Sequence, residues 1–261
     1  MKHFEESLNA LDLTLFDKIP SQSTDEDKRS LLACQAATRR LVPEYRYLEI
    51  GSYLGGSIQP YVLDDKCVRV YSIDKRPRLQ PDERGYNWTY ENNSTERMMH
   101  NLRAIDAERA GKVAAIDGDT RSLDPAAIES KVDLCFIDGE HTDGAVFADF
   151  SFCLRALGGR GAIMFHDSQI TYNGIAACVE HLRSSGVDFR AYILPNIVFV
   201  IEIGDFPLHR DAVVGERLVN NHEAYLFSLQ DNDHYRRFAN RLPFRVTRNL
   251  LMRLRGANVS R

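Results

Sequence analysis

Five apolar runs in the sequence end at an acidic residue or an acid-rich turn, and two histidines lie beside the last two of these ends. The acids are Glu49, Asp74, Asp117, Asp138 and Asp167, and the histidines are His141 and His166. Paired carboxylates can hold a divalent cation, and an imidazole can accept a proton near neutral pH. A single acid in such a position could be only a helix cap or a turn former. Five in succession indicate one chemical site.

The alternation of strand-like and helix-like segments predicts the elements that would bring these ends together. The apolar runs cover 46–51, 68–74, 112–118, 132–139 and 161–167, and helical stretches lie near 56–63, 94–109, 123–129, 143–157 and 173–185. Near-continuous apolar strands separated by helices indicate a parallel sheet covered on both faces. Residues 189–204 add two β-rich runs joined at Pro195-Asn196, which predicts an antiparallel hairpin. The fold class is therefore α/β, Rossmann-like and doubly wound, with ligands expected at the carboxyl ends of the strands.

The first strand ends in a glycine-rich turn, with the sequence RYLEIGSYLGGS at 46–57. Glycine permits both a sharp bend and the close approach of a ligand to the backbone. Dinucleotide-binding enzymes use G-x-G-x-x-G at this junction, but here Tyr53 stands where the second glycine would be. Asp74 follows one βα unit later, where a carboxylate can accept both hydroxyl protons of a ribose. That contact would serve different nucleotide-like cofactors, so Asp74 alone does not separate them.

The glycine turn has the pattern E-x-G-x-x-x-G-x-S, which resembles motif I of class I S-adenosylmethionine-dependent methyltransferases. Three later segments strengthen the resemblance: FIDGEHTDGAVFADF (136–150), GGRGAIMFHDS (158–168) and NGIAACVEHL (173–182). Together they resemble the metal-assisted sugar and small-molecule O-methyltransferases of the macrocin and cephalosporin-cluster type. The resemblance covers roughly residues 40–203.

This resemblance implies a seven-stranded sheet with S-adenosylmethionine as the cofactor. The implied cofactor residues are Glu49, Gly51, Ser52, Gly55, Ser57, Asp74, Asp119 and Asp138. In the family, the two glycines let the methionine part approach, Ser57 binds its carboxylate, and Glu49 orients the loop or the ammonium group. Asp119 would contact adenine, although it could equally be the N-cap of the next helix.

The resemblance also implies a catalytic cluster around the acceptor hydroxyl, formed by Asp138, His141, His166 and Asp167. In that branch the strand-end acids hold a divalent cation, which here implies Asp138, His166 and Asp167, with His166 in place of an acid. Two carboxylates suit Mg²⁺, whereas an imidazole favours another, softer divalent cation. A cation would lower the pKa of the acceptor hydroxyl. Without one, His166 or His141 could be the general base, and His141 could also serve only to fix its loop.

Length and composition are those of an ordinary soluble α/β protein. The chain has 261 residues and a formal net charge of −4, so charge gives no reason to expect nucleic-acid binding. There is no C-x-x-C pair, no signal peptide and no apolar run long enough to span a membrane, which predicts a cytoplasmic protein. We expect an N-terminal helical segment (1–40), a methyltransferase domain (41–205) and a helical, basic C-terminal extension (206–261). Within the first of these, a single helix is expected to end near Pro20.

The C-terminal tail has eight arginines and no acid after Asp233, and its apolar residues recur at roughly helical spacing. This pattern predicts a basic amphipathic helix, whose apolar stripe could be packed or could form a homo-oligomer contact. The helix could instead touch an anionic membrane surface or a phosphorylated glycolipid. Residues 76–93 show no clean periodicity and are expected to form a loop over the site.

The function predicted from these features is S-adenosylmethionine-dependent O-methylation of a hydroxyl on a sugar, glycolipid or small polar metabolite. Two other functions remain open. An NAD(P)-dependent oxidoreductase would share the architecture, although the glycine spacing differs and no clear Tyr-x-x-x-Lys pair is present. A non-catalytic binding protein could also use the same fold, because function resides in the site rather than in the fold.

Overall fold

The computed structural model describes residues 2–76, 78–85, 87–240 and 242–254. The chain divides into two compact units, residues 1–222 and residues 223–261. The strands are β1 (Tyr45–Ile50), β2 (Cys67–Asp74), β3 (Leu79–Pro81), β4 (Asn87–Thr89), β5 (Val113–Asp117), β6 (Leu134–Ile137), β7 (Gly161–Phe165), β8 (Phe189–Ile193), β9 (Phe199–Ile203) and β10 (Asn220–Asn221). The α-helices are α1 (Lys2–Asn9), α2 (Asp25–Leu41), α3 (Gln59–Leu63), α4 (Thr95–Ile105), α5 (Asp143–Leu157), α6 (Tyr172–Ser184), α7 (Ala212–Arg217), α8 (His222–Asn240) and α9 (Phe244–Leu254).

Eight strands form the main sheet of the first unit, in the order β10-β8-β9-β7-β6-β1-β2-β5. The strands β5, β2, β1, β6 and β7 are parallel, and β9 pairs antiparallel with both β7 and β8. The predicted doubly wound sheet with its antiparallel hairpin is confirmed. The eighth strand is the two-residue β10, which pairs with β8 and is too short to give a sequence signal.

The core lies on both faces of the sheet, because every residue of β6, β7 and β9 is buried. The chain passes from β1 to β2 on one side of β1, and β6 later pairs with β1 on its other side. This reversal of strand order opens a crevice at the carboxyl ends of β1, β2 and β6, which is where ligands bind in such sheets.

The N-terminal segment departs from the single helix that was expected to end near Pro20. Helix α1 ends at Asn9, and a short 3₁₀ turn covers Leu13–Phe16. The break has a local cause: Leu11 takes a positive φ of 52°, and the Asp12 side chain then accepts a hydrogen bond from the Thr14 amide. Helix α2 begins with a capping box between Thr24 and Asp27.

The segment that was expected to be a loop over the site contains the antiparallel hairpin of β3 and β4. Asp82, within this hairpin, forms an isolated bridge with His141, and the Glu83 amide donates a hydrogen bond of 2.8 Å to the His141 carbonyl. The hairpin is therefore attached to the turn that follows β6. No helix among the described residues is long and apolar enough to cross a membrane.

Candidate active site

A cavity of about 440 Å³ lies at the carboxyl ends of β1, β2, β6 and β7. This volume is within the range of about 300–1,000 Å³ that is usual for small-molecule sites. Five of the predicted cofactor residues line it: Gly51, Ser52, Ser57, Asp74 and Asp138. All four predicted catalytic residues line it as well: Asp138, His141, His166 and Asp167. The two predicted sets therefore share one cavity.

The turn after β1 depends on Gly51. Its φ is +92°, and a Cβ atom at this position would lie 2.1 Å from the carbonyl oxygen of Asp138. The Asp138 amide in turn donates a hydrogen bond of 2.9 Å to the carbonyl of Ile50. Only a residue without a side chain allows the end of β1 to lie this close to the end of β6.

Glu49 lies behind the cavity and is fully buried. Its carboxylate accepts a hydrogen bond of 2.6 Å from the Tyr47 hydroxyl and one of 2.7 Å from the Ser57 hydroxyl. Burial raises the pKa of Glu49 to about 7, although these two hydrogen bonds act in the opposite direction. In this geometry Glu49 orients the glycine loop by holding Ser57.

Asp74 ends β2 at the cavity wall and is 4% exposed. Its Oδ1 accepts a hydrogen bond of 2.7 Å from the Arg76 amide, and its Oδ2 accepts one of 2.9 Å from the Tyr53 amide. Oδ2 also accepts from Arg76 Nη1 at 3.4 Å, whereas Oδ1 keeps a second lone pair that can accept from a ligand hydroxyl. The same carboxylate thus joins the glycine turn to the end of β2.

Asp119 lines a separate cavity of about 30 Å³, which shares Gly51, Asp74 and Gln80 with the larger one. The guanidinium of Arg121 forms an ion pair of 2.5 Å with Asp119. This hydrogen bond is the main cause that lowers the pKa of Asp119 to about 2. Asp149 forms another wall of this small cavity, and burial raises its pKa to about 7.

The acids and histidines of the catalytic cluster are in direct contact. His166 Nδ1 lies 3.1 Å from Asp138 Oδ1 and 3.0 Å from Asp167 Oδ2. His141 Nε2 lies 3.2 Å from Asp167 Oδ2 and 3.9 Å from Asp138 Oδ1. The two imidazoles therefore share the two carboxylates.

These contacts shift the protonation equilibria of the cluster. Burial alone raises the pKa of Asp138, but the positive charge of His166 and the hydrogen bond from His141 outweigh it, so that the net pKa is well below its usual value. Burial alone lowers the pKa of both histidines, but the neighbouring carboxylates outweigh it. The pKa of His141 is raised, and the pKa of His166 is raised well above its ordinary value.

A divalent cation fits part of this cluster. Within the described ranges, Asp138, His141 and Asp167 can each offer one ligand atom, and these atoms lie within 4.8 Å of one another. His166, which belongs to the predicted metal set, has one ring nitrogen between Asp138 and Asp167, and its Nε2 lies 3.5 Å from Asp27 Oδ2. Both histidines thus contact the same two carboxylates, and the ligand atoms that converge are those of Asp138, His141 and Asp167.

Several residues that line the cavity carry no clear signal in the sequence: Asp27, Gln80 and Arg84. The local signal at Asp27 is a helix cap, which explains the residue without any site. Gln80 and Arg84 belong to the segment that shows no periodicity. These residues reach the cavity only because α2 and the β3–β4 hairpin fold over the ends of the strands.

Asp82 organises the hairpin side of the cavity. Its buried carboxylate accepts hydrogen bonds from Arg84 Nη2 at 2.8 Å and from Trp88 Nε1 at 3.1 Å, and its Oδ2 lies 4.0 Å from His141 Nδ1. Burial acts to raise the pKa of Asp82, but these hydrogen bonds outweigh it and lower the pKa to about 2. Trp88 is held at its indole nitrogen, yet 46% of the residue remains exposed, so the ring faces are accessible to a ligand.

Comparisons with known proteins agree with this geometry. Residues 48–168 match the family model of a methyltransferase domain. The structure is similar to that of CalS11, a calicheamicin methyltransferase, with a TM-score of 0.50, 15% sequence identity, and coverage of 78% of this chain and 93% of that chain. It is also similar to an O-methyltransferase from Bacillus cereus in complex with S-adenosylhomocysteine, with a TM-score of 0.47, 15% identity, and coverage of 77% and 90%. No curated protein matches the sequence significantly.

The fold is therefore that of the class I S-adenosylmethionine-dependent methyltransferases. The segment that matches the methyltransferase domain runs from β1 to the turn after β7. The predicted enzyme class is confirmed, and the oxidoreductase alternative is not favoured.

Proposed function

We propose that this methyltransferase transfers the methyl group of S-adenosylmethionine to a hydroxyl oxygen of a sugar, a glycolipid or a similar small polar metabolite. The observation that carries the proposal is the cluster of Asp138, His141, His166 and Asp167 in the same cavity as the glycine turn. Methyl transfer is an in-line displacement, so much of its rate comes from alignment of the acceptor oxygen with the methyl carbon. A cavity that contains both the donor turn and a proton-accepting cluster supports that alignment.

The donor would occupy the side of the cavity formed by Gly51, Ser52 and Asp74. Asp74 would accept from the ribose hydroxyls, and the adenine would extend towards the small cavity lined by Asp119. The carboxylates of Asp74 and Asp138 favour a positively charged sulfonium in this region.

The acceptor would lie between the catalytic cluster and the β3–β4 hairpin. His141 Nε2 would take the hydroxyl proton as the methyl group is transferred, because His141 lies next to Asp82 of that hairpin. The accessible face of Trp88 would pack against a sugar or another flat ring of the acceptor. The acceptor oxygen would then be held between the donor methyl group and the imidazole.

The same cluster supports a role for a divalent cation, Mg²⁺ or another. When bound, it would be held by Asp138, His141 and Asp167 and would lower the pKa of the acceptor hydroxyl, and His141 would then be a ligand instead of the base. His166 would keep Asp138 and Asp167 in place by donating to both carboxylates. Asp82, on the far side of His141, would fix the orientation of the imidazole ring.

Titration calorimetry with S-adenosylhomocysteine and with NAD, run in parallel, tests the donor assignment. We expect binding of S-adenosylhomocysteine and none of NAD. Replacement of Asp74 by asparagine should weaken S-adenosylhomocysteine binding by about 10- to 100-fold, because a hydrogen bond to a charged group contributes roughly 1.5–3 kcal/mol. Asp188→Asn, at an exposed position before β8, is the matched control. Binding of NAD, or equal affinities in the two variants, would contradict the assignment.

A cytoplasmic location is also part of this proposal. All five cysteines are buried and unpaired in the structure, which supports a reducing compartment.

We further propose that the basic tail contacts an anionic membrane surface. In helix α9, Phe244, Val246, Leu250 and Leu251 are between 47% and 58% exposed. Eight arginines lie between residues 234 and 261 without an acid, and arginines beside exposed apolar side chains are typical of helices that lie on anionic lipid. A glycolipid acceptor would reside at such a surface.

Sedimentation with vesicles tests this membrane contact. We expect the full chain to sediment with vesicles that contain phosphatidylglycerol and to remain in the supernatant with pure phosphatidylcholine. The double change Phe244→Ser and Leu251→Ser should abolish sedimentation, whereas Val219→Ser, at a residue of the first unit that is 62% exposed, should not. Equal partitioning of the full chain and the double variant would remove the proposal.

A further inference from the structure

Asp27 is a charged residue whose burial is not explained by its helix cap alone. It lies in the first turn of α2, outside the segment that matches the methyltransferase domain, and it is fully buried. Its side chain also lines the large cavity. A buried carboxylate must be paired and hydrogen-bonded, or it destabilises the fold.

The contacts of Asp27 come from three parts of the chain. Thr24 donates to Oδ2 from its hydroxyl at 2.6 Å and from its amide at 3.1 Å. The side-chain amide of Asn196, between β8 and β9, lies 3.0 Å from both carboxylate oxygens. The third neighbour is His166, whose Nε2 lies 3.5 Å from Oδ2.

The carboxylate of Asp27 faces the second ring nitrogen of His166. Among the described residues, its Nε2 is a buried side-chain nitrogen without a hydrogen-bond partner, and the carboxylate of Asp27 faces it. On the opposite edge of the ring, Nδ1 lies between the carboxylates of Asp138 and Asp167. An imidazole rotated by 180° about χ2 would place a carbon atom where Nδ1 now lies and would lose both of these short contacts.

We propose that Asp27 is the positioning residue of His166: it holds the imidazole so that Nδ1 keeps Asp138 and Asp167 together at the acceptor end of the cavity. The N-terminal segment thereby completes an active site that the methyltransferase domain alone does not contain. The expected effect of Asp27 on turnover rests on the proposed function, whereas its expected effect on the orientation of the His166 ring does not.

The test separates this role from the helix cap by comparing Asp27→Asn with Thr24→Ala. Both changes damage the capping box, so we expect a similar decrease in melting temperature. Asparagine has one side-chain oxygen where aspartate has two. The donors of Thr24 and Asn196 would compete with His166 for that oxygen, so the His166 ring should be released from its present orientation. Thr24→Ala leaves the carboxylate of Asp27 in place.

Long-range ¹H–¹⁵N spectra of the imidazoles give the first readout, with the His166 signals assigned from their loss in His166→Gln. We expect the His166 nitrogens to shift by several ppm in Asp27→Asn and to stay unchanged in Thr24→Ala, with no acceptor or methyl donor present. Unchanged His166 signals in Asp27→Asn, or the same shifts in both variants, would overturn the proposal.

Steady-state kinetics with an acceptor that the wild-type enzyme methylates give the second readout. Asp27→Asn should lower kcat to about 10- to 100-fold below that of Thr24→Ala, because loss of the outer hydrogen-bond partner of an active-site histidine typically has an effect of this size. KM for S-adenosylmethionine should stay nearly unchanged. Equal kcat values in the two variants would show that the role is structural only. A wild-type protein that methylates no acceptor would refute the proposed function, while the spectra would still decide the role of Asp27.

Discussion

Replacement of Asp167 by asparagine should lower methyl transfer by at least about 100-fold, because it removes one of the two carboxylates that contact both imidazoles. Asp167 Oδ2 lies 3.2 Å from His141 Nε2 and 3.0 Å from His166 Nδ1, so a single change affects the proposed base and its neighbour together. Asparagine is the suitable substitution here, because Asp167 has a positive φ of 49° that asparagine tolerates and most other residues do not. Affinity for S-adenosylhomocysteine should stay within about twofold of wild type, since Asp167 lies at the acceptor end.

The measurement is transfer of a radiolabelled methyl group from S-adenosylmethionine to a panel of nucleotide sugars, free sugars and glycolipids. Asp124→Asn, at an exposed helix cap that does not line the cavity, is the matched control and should retain full activity. The assay is run with added Mg²⁺ and with a chelator. If the cluster holds a cation, chelation slows the wild-type enzyme and has little further effect on Asp167→Asn. Wild-type turnover in the Asp167 variant would refute the assignment of the cluster.

The second large effect is expected at Gly51, where alanine should reduce the free energy of unfolding by at least about 3 kcal/mol, because backbone strain adds to a steric collision. The φ of +92° is unfavourable for any residue with a Cβ atom, and that atom would lie 2.1 Å from the Asp138 carbonyl oxygen. To relieve the collision, the end of β1 must move away from the end of β6. The variant should therefore also lose binding of S-adenosylhomocysteine.

Urea unfolding of Gly51→Ala is compared with that of Gly144→Ala. Gly144 lies in the first turn of α5, and a Cβ there would meet no atom within 4 Å. Alanine at that position should change stability by less than about 1 kcal/mol, in the stabilising direction, because it restricts the unfolded chain and suits a helix. Equal midpoints for the two variants would show that the close approach of β1 and β6 does not depend on glycine.

Both predictions concern residues that the sequence already indicated, and there is a physical reason why it could. The apolar runs predict the strands because strands buried on both faces need continuous apolar sequence. The carboxyl ends of parallel strands meet at one edge, so Asp74, Asp138 and Asp167 could be placed near one another without coordinates. Gly51 was marked by the turn that must follow the first strand.

The sequence did not assign separate roles to the two histidines, because the orientation of each ring depends on neighbours that are distant along the chain. His141 and His166 were equal candidates for the general base and differed only in their resemblance to metal-binding positions. In the structure, His166 lies between Asp27 and the two strand-end acids, whereas His141 lies between those acids and Asp82 of the hairpin. One of those neighbours is Asp27, and all five parallel strands lie between Asp27 and His166 in the sequence.

The sequence by itself determined the class of fold, the glycine turn at 46–57 and the acids at the strand ends, because these follow from local pattern and from the geometry of a parallel sheet. The tertiary structure decided which side chains surround them. Asp27 has a sufficient local explanation as a helix cap, and Asp82 lies in a segment without periodicity, so neither could be assigned to the site from sequence. Their contacts with the two histidines exist only once α2 and the β3–β4 hairpin have packed over the carboxyl ends of the strands.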